Sequence, residues 1–154
     1  MSAISREAVY AALETFIQKA LSAPTFAKAV TVTRKVQHYS AVQPAQLPYV
    51  GILQKGETAI RKRGLDAKLT LQCVLLVYTQ GSNSPDVAAS TIINNILDTL
   101  DNVLDPDALP GNTQQLGLPG IVEHAWIEGK VEIYEAILVD KSIAIVPVHI
   151  LCTG

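Results

Sequence analysis

The sequence predicts an α+β fold: two amphipathic helices packed on one face of a mainly antiparallel β-sheet, with a projecting loop or hairpin. Three observations predict it. Two segments, residues 9–21 and 89–104, carry apolar side chains at helical spacing. Several others alternate apolar and polar residues, the period of a half-buried strand. The order is helix, strands, helix, strands, with no internal repeat and no linker, so residues 1–154 read as one α+β domain.

The first helix follows from Val9, Leu13, Phe16, Ile17, Ala20 and Leu21, which form one stripe. Ser5 is placed to cap it, Glu7 sits where the dipole favours an acid, and residues 22–24 (Ser-Ala-Pro) stop it. Residues 30–39 alternate and predict a strand. Pro44 and Pro48 exclude a central strand between them and predict an extended connection. A short strand resumes at residues 49–57. Residues 56–67, bounded by Gly56 and Gly64 and carrying Arg61, Lys62 and Arg63, predict an exposed loop or projecting hairpin.

The strongest strand is residues 68–79. Leu69, Leu71, Cys73, Leu75 and Val77 share one face; the other begins polar and ends apolar, so it should be covered along half its length. Ser84, Pro85 and Asp86 are the start signal of a second helix of about 19 residues, roughly 28 Å, with Ala89, Ile93, Ile96, Leu97, Leu100 and Leu104 on its apolar face and its end before Pro106. A long irregular connector follows. Alternation then returns, with Val122, His124 and Trp126 pointing one way and Ile121, Glu123, Ala125 and Ile127 the other. Glu128-Gly129 predicts a tight hairpin turn into residues 130–138. Residues 143–152 are apolar on both faces and predict a central strand, in which Pro147 implies a bulge or a locally missing partner.

Composition narrows the function. Hydrophobic residues make up 49% and charged residues 17%, which excludes disorder and leaves apolar surface to be buried against other subunits. A formal net charge of −2 gives no long-range field for nucleic acid. Two isolated cysteines make no disulfide framework, and the default is a reduced, cytosolic protein. The N-terminus lacks the apolar stretch of a signal peptide, and no apolar run approaches the roughly 20 residues that span a bilayer.

Reacting groups are sparse. His38, His124 and His149 lie in three segments without metal-ligand spacing, and Glu123 faces away from His124 if both lie in a regular strand. Asp98, Asp101 and Asp105 follow one side of the second helix, with Asp107 just beyond. They crowd its negative end, but without the order of a calcium loop they read as a solvated face. No nucleophile or phosphate-loop motif occurs, and Cys73 and Cys152 read as inert core thiols. The Arg61–Lys62–Arg63 cluster lacks the aromatic platforms of a nucleic-acid site. No catalytic residue, cofactor or metal is therefore expected.

Four stretches carry a resemblance. Residues 43–57 (QPAQLPYVGILQKGE) resemble a Gln-Pro-Ala-Leu stretch, followed by a glutamate, in a family of bacteriophage minor tail proteins. Residues 93–107 (INNILDTLDNVLDPD) are similar to that family's Asn-x-Leu/Ile-Leu-Asp-x-Leu helix and its Asp-Pro end. Residues 114–131 (QQLGLPGIVEHAWIEGKV) resemble its Gln-Thr-Leu-Gly-Gly, Val-x-His and Ile-Glu-Gly pattern, with Leu116-Gly117-Leu118-Pro119-Gly120 in place of Leu-Gly-Gly. Residues 143–151 (IAIVPVHIL) resemble its closing strand, and the four occur in the family's order.

The resemblance implies helices against a mixed sheet and a tail terminator of long-tailed phages, or a related head–tail connector or tail-completion protein. It implies a homo-oligomeric ring, a hexamer in that family, at the head-proximal end of a virion tail. Its partners would be copies of itself, the tail tube protein and the head–tail connector. DNA would pass through the ring without a required contact, and no membrane is involved. Contacts are expected on the long polar loops 54–66 and 105–120, through Lys55, Glu57, Arg61, Lys62, Arg63, Asp105, Asp107, Gln114 and Gln115. A small ligand-binding or metal-dependent enzyme, using His124 with Glu123 or the aspartate face, is the alternative of a different class.

Overall fold

The computed structural model of the chain describes residues 4–22, 26, 29–80, 89–104, 110–138 and 141–154. Helix α1 is Arg6–Ala20. The Ser5 hydroxyl accepts the Ala8 N–H at 3.2 Å, the cap expected there. Val9, Leu13, Ile17 and Leu21 are buried along the expected stripe, and Tyr10 joins them. Ala23 and Pro24 of the expected stop lie outside the described residues. The Ser22 hydroxyl donates to the Lys19 carbonyl at 2.8 Å as the helix ends.

The strand expected over residues 30–39 is only three residues long. Strand β1 is Thr31–Thr33 and runs parallel to β2, Tyr49–Ile60. Helix α1 draws the chain away after it. The Arg34 guanidinium donates to both Glu7 carboxylate oxygens, at 2.6 and 2.9 Å, while the Arg34 backbone N–H donates to Glu14 at 3.0 Å. The chain then crosses to the back of the sheet, where Val36 lies on Gly51. A Cβ at Gly51 would stand 3.1 Å from a Val36 methyl and 3.2 Å from the Tyr49 ring, a tight fit in which those side chains would have to give by a few tenths of an ångström.

Tyr49 and Tyr78 stack beneath that crossing, ring centroids 5.1 Å apart. The Tyr49 hydroxyl accepts the Gln37 N–H at 3.0 Å, and the Tyr78 hydroxyl donates to the Gln37 carbonyl at 3.0 Å. The two-proline connection is not extended throughout, because Pro44–Gln46 coils into a short 3₁₀ turn. Val42 and Leu47 cover Tyr49, Tyr78 and Ile143 in a second, smaller core. The half-apolar back face of residues 68–79 thus has its cover.

Strand β2 is longer than the short strand expected. It runs through Gly56 to Ile60 and pairs antiparallel with β3, Lys68–Gln80. Gly56 bounds no loop; it follows a β-bulge in which Gln54 faces Cys73, Gly56 faces Gln72 and Lys55 is the extra residue. Of the two forms expected for residues 56–67, the projecting hairpin is observed. On β3, Leu69, Leu71, Cys73, Leu75 and Val77 are all buried. Helix α2, Ala89–Leu104, buries Ile93, Ile96, Leu100 and Leu104 in the core that α1 also enters. Its expected start at residues 84–86 lies outside the described residues.

Strand β6, Lys141–Thr153, pairs with β3 along its whole length and is central, as its two apolar faces require. The largest departure from expectation lies on its other edge. Residues 122–138 do not form a hairpin. Strand β4, Val122–Ile127, pairs with β6 opposite Val148 to Cys152, and strand β5, Glu132–Leu138, pairs with β6 opposite Lys141 to Ile145. They lie end to end along one edge. Glu128-Gly129 is a jog between them, not a reversal.

The reason is length: β4 pairs with less than half of a 13-residue strand, and the chain continues along the free remainder. Pro147 stands opposite the jog, and its carbonyl accepts the Glu128 N–H at 3.1 Å. In extended backbone one residue's N–H and C=O point to the same side, so the N–H that proline lacks would have faced the jog. The locally missing partner expected at Pro147 is found there. The sheet order is β1-β2-β3-β6-β4, with β5 beside β6, and β1 makes the sheet mixed.

Candidate assembly surface

The β2–β3 hairpin carries five of the expected contact residues. The bulge at Lys55 shifts the alternation by one, so Glu57 rather than Gly56 stands opposite Leu71, on the helix side of the sheet. Arg6 of α1 meets it there. Its guanidinium donates to both Glu57 oxygens, at 2.7 and 2.6 Å, and these bonds hold the carboxyl below its ordinary range. Glu57 is thus engaged within its own chain, while Lys55 is exposed. Arg61, Lys62 and Arg63 are exposed at the turn, and none makes an ion pair among the described residues. Beside them Ile60 and Leu65 are 56% and 65% exposed.

The second expected contact loop is divided. Asp105 and Asp107 lie outside the described residues. Gln114 is half-buried and clamps the connector onto α2 and β4. Its side-chain amide donates to the Val103 carbonyl at 2.9 Å, its backbone N–H to His124 Nδ1 at 2.9 Å, and its carbonyl accepts the Ala125 N–H at 2.9 Å. Leu116 is buried behind it, and Gln115 is exposed.

The face pattern of β4 differs from expectation at one residue. Val122 stands opposite Cys152 and His124 opposite Leu151, so Glu123 is the extra residue of a second bulge. Val122 therefore joins Ala125 and Ile127 on the core side. His124 and Trp126 do share a face: their rings stack at 5.2 Å, and His149 tilts against Trp126 at 5.7 Å. The Trp126 indole N–H donates to Glu128, and the Thr153 hydroxyl donates to Glu123.

His124 accepts the Gln114 N–H through Nδ1, and burial lowers its pKa, so the ring is held neutral. Its Nε2 is buried without a hydrogen-bond partner among the described residues. His124 and Glu123 have separate partners, and among the described residues no group of three or more His, Cys, Asp or Glu is placed to hold a metal. Cys73 and Cys152 are buried, which pushes their thiols up to about 12 and about 11, away from nucleophilic chemistry.

One exposed feature was missed by sequence reasoning. On β5, Ile133 and Tyr134 are 43% and 48% exposed, and the Tyr134 hydroxyl donates to Glu132 at 3.0 Å. A hairpin would have placed β4 along β5; end-to-end placement leaves its outer edge without a strand among the described residues. The only signal was Pro147, whose missing N–H marks where the covering strand is interrupted.

No family model matches the chain, and no curated protein matches it in sequence. In fold it is similar to a chain of the virion of a native gene transfer agent particle, with a TM-score of 0.54 and 16% identity, over 96% of this chain and 98% of that one.

Proposed function

We propose that this protein is a structural component of a virion, a tail terminator whose copies form a ring on the end of the tail tube. The ring stops tube growth and gives the head connector a surface to dock on. The observation that carries the reading is the fold likeness to a virion chain across nearly the whole of both chains. The four sequence stretches that resemble phage minor tail proteins support it independently. So do the exposed apolar side chains at the hairpin turn, in a chain with only 17% charged residues.

The mechanism is one of shape. Each subunit offers two different patches, a head-to-tail contact that closes by rotation. A specific contact of this kind buries about 800 Å² on each partner. DNA passes through the lumen, and no bond in any ligand is made or broken.

Electron microscopy of the purified protein, alone and mixed with tail tubes, tests the reading. Rings, free or seated on tube ends, are the expected result; a monomer that ignores tubes overturns it. Particles lacking the protein should have overlong tails. Tails of normal length detached from heads would instead assign it to the head–tail connector.

A further inference from the structure

The geometry points to a specific contact between copies of this chain: the β2–β3 hairpin of one copy docks along the outer edge of β5 in the next. This rests on the ring reading above and names its interface.

Both surfaces are borders of the same sheet. Strand β1 pairs with β2 only at Tyr49 to Gly51, so no described strand covers β2 beyond Gly51 on that side. The outer edge of β5 is likewise without a strand among the described residues. Rows of unpaired backbone N–H and C=O groups are templates for another chain. The two borders cannot satisfy each other within one molecule. They are separated by β3 and β6, three strand spacings or roughly 14 Å.

Strand direction fits a second copy. β2, β3, β6 and β5 alternate in sense, since each successive pair is antiparallel. A neighbour set beside the first without turning over, and slid along the strands by about seven residues (roughly 23 Å) so that its free arm passes β4 and reaches the level of β5, therefore brings that arm of β2 antiparallel to β5. The contact uses two different patches, which is what a closed ring requires. Length also fits. Past the bulge at Lys55, the arm from Gly56 to Ile60 spans roughly 17 Å, and the seven residues of β5 span roughly 23 Å.

The side chains are complementary. Each border exposes large apolar groups, Ile60 and Leu65 on the hairpin and Ile133 and Tyr134 on β5. The hairpin turn carries three successive cations, Arg61, Lys62 and Arg63, whereas β5 carries Glu132 and Glu135. Opposite charge fixes the register and disfavours hairpin against hairpin or edge against edge. A second copy thus supplies the strand, the apolar surface and the charge that each border lacks.

Charge reversal tests the contact, with sedimentation velocity reading assembly and circular dichroism reading the fold. One variant carries R61E, K62E and R63E; the other carries E132K and E135K. Each alone should fold and raise the dissociation constant about tenfold or more, because like charges then face each other. Mixing the two should restore assembly, since reversed hairpin meets reversed edge and native hairpin meets native edge. An assembling wild-type chain indifferent to both reversals removes this contact and leaves the ring. Weakened variants that fail to rescue each other also remove it. A wild-type chain monomeric both alone and on tail tubes removes the ring reading and the contact together.

Discussion

His124 shows how one side chain can be held for structural reasons while looking chemical. Its ring stacks on Trp126, its Nδ1 anchors the connector through the Gln114 N–H, and burial keeps it neutral. A folded-state pKa below the ordinary 6.5 means that, between the two values, the unfolded chain binds the proton the folded chain refuses. Stability should therefore be full above 6.5 and fall as pH drops from there through the folded-state pKa. The carboxyls of Glu7 and Glu57 are held below 4.5 by their arginine partners and lose their contribution only at lower pH. Urea midpoints at about pH 7.5 and about pH 5.5 should differ in the wild type, and the gap should shrink in His124→Asn, which keeps an acceptor for Gln114 without titrating. An unchanged gap would show that His124 is not its source. Gly129 is constrained by backbone rather than by space: its φ is +100°, and an added Cβ would meet Pro147 at an ordinary 3.6 Å. Gly129→Ala should cost about 1 kcal/mol in denaturant unfolding, the penalty of a left-handed conformation, with the fold retained.

At the scale of the element, the two helices and β3 were legible because their patterns are local and long. Each has at least three buried positions in register, and its partner face is a whole sheet or a whole helix layer. Ile96 on α2 is fully buried among both helices and the sheet. Ile96→Ala should cost about 2–5 kcal/mol, read as a lower urea midpoint at unchanged slope, because the rigid layers on either side cannot close the cavity. A cost below about 1 kcal/mol would mean that α2 packs loosely on β3 and β6. Strands β1, β4 and β5 were less legible. β1 was overextended because alternation continues past Thr33, and nothing in that run reveals that Glu7 and Glu14 wait twenty or more residues away to take Arg34. β4 and β5 were joined as a hairpin because Glu-Gly is a sound local turn signal, and the competing claim came from the free edge of β6, a strand not yet reached in the chain. The bulges at Lys55 and Glu123 each moved one face assignment for the same reason, since an extra residue is visible only against a partner.

Across the whole molecule, both helices share one core with β2, β3, β4 and β6, and Cys73 and Cys152 sit inside it on the neighbouring strands β3 and β6. This arrangement gives a cooperative expectation. A thiol reagent at neutral pH should label neither cysteine in native protein, their thiols lying near 12 and 11, and should label both within a single denaturant transition. Separate transitions for the two would divide the chain into independently unfolding parts. Of the residues expected to make contacts, some are exposed and others are engaged within the chain. The basic hairpin turn stood out as a charge cluster between glycines, and it projects as expected. Glu57 and Gln114 were also named, but the structure shows each bonded within the chain, to Arg6 and to Val103, His124 and Ala125.

The amino-acid sequence by itself determined the class of fold, the two helix stripes, the buried face of β3, the central place of β6 and the burial of both thiols. These depend on periodicity and composition, which neighbours along the chain are enough to express. Tertiary structure alone decided which strands pair, where the extra residues fall, what covers the back of the sheet and which borders stay open. Hydrogen-bond partners far apart in the chain are chosen by competition among all the edges available at once, and no local pattern records the outcome.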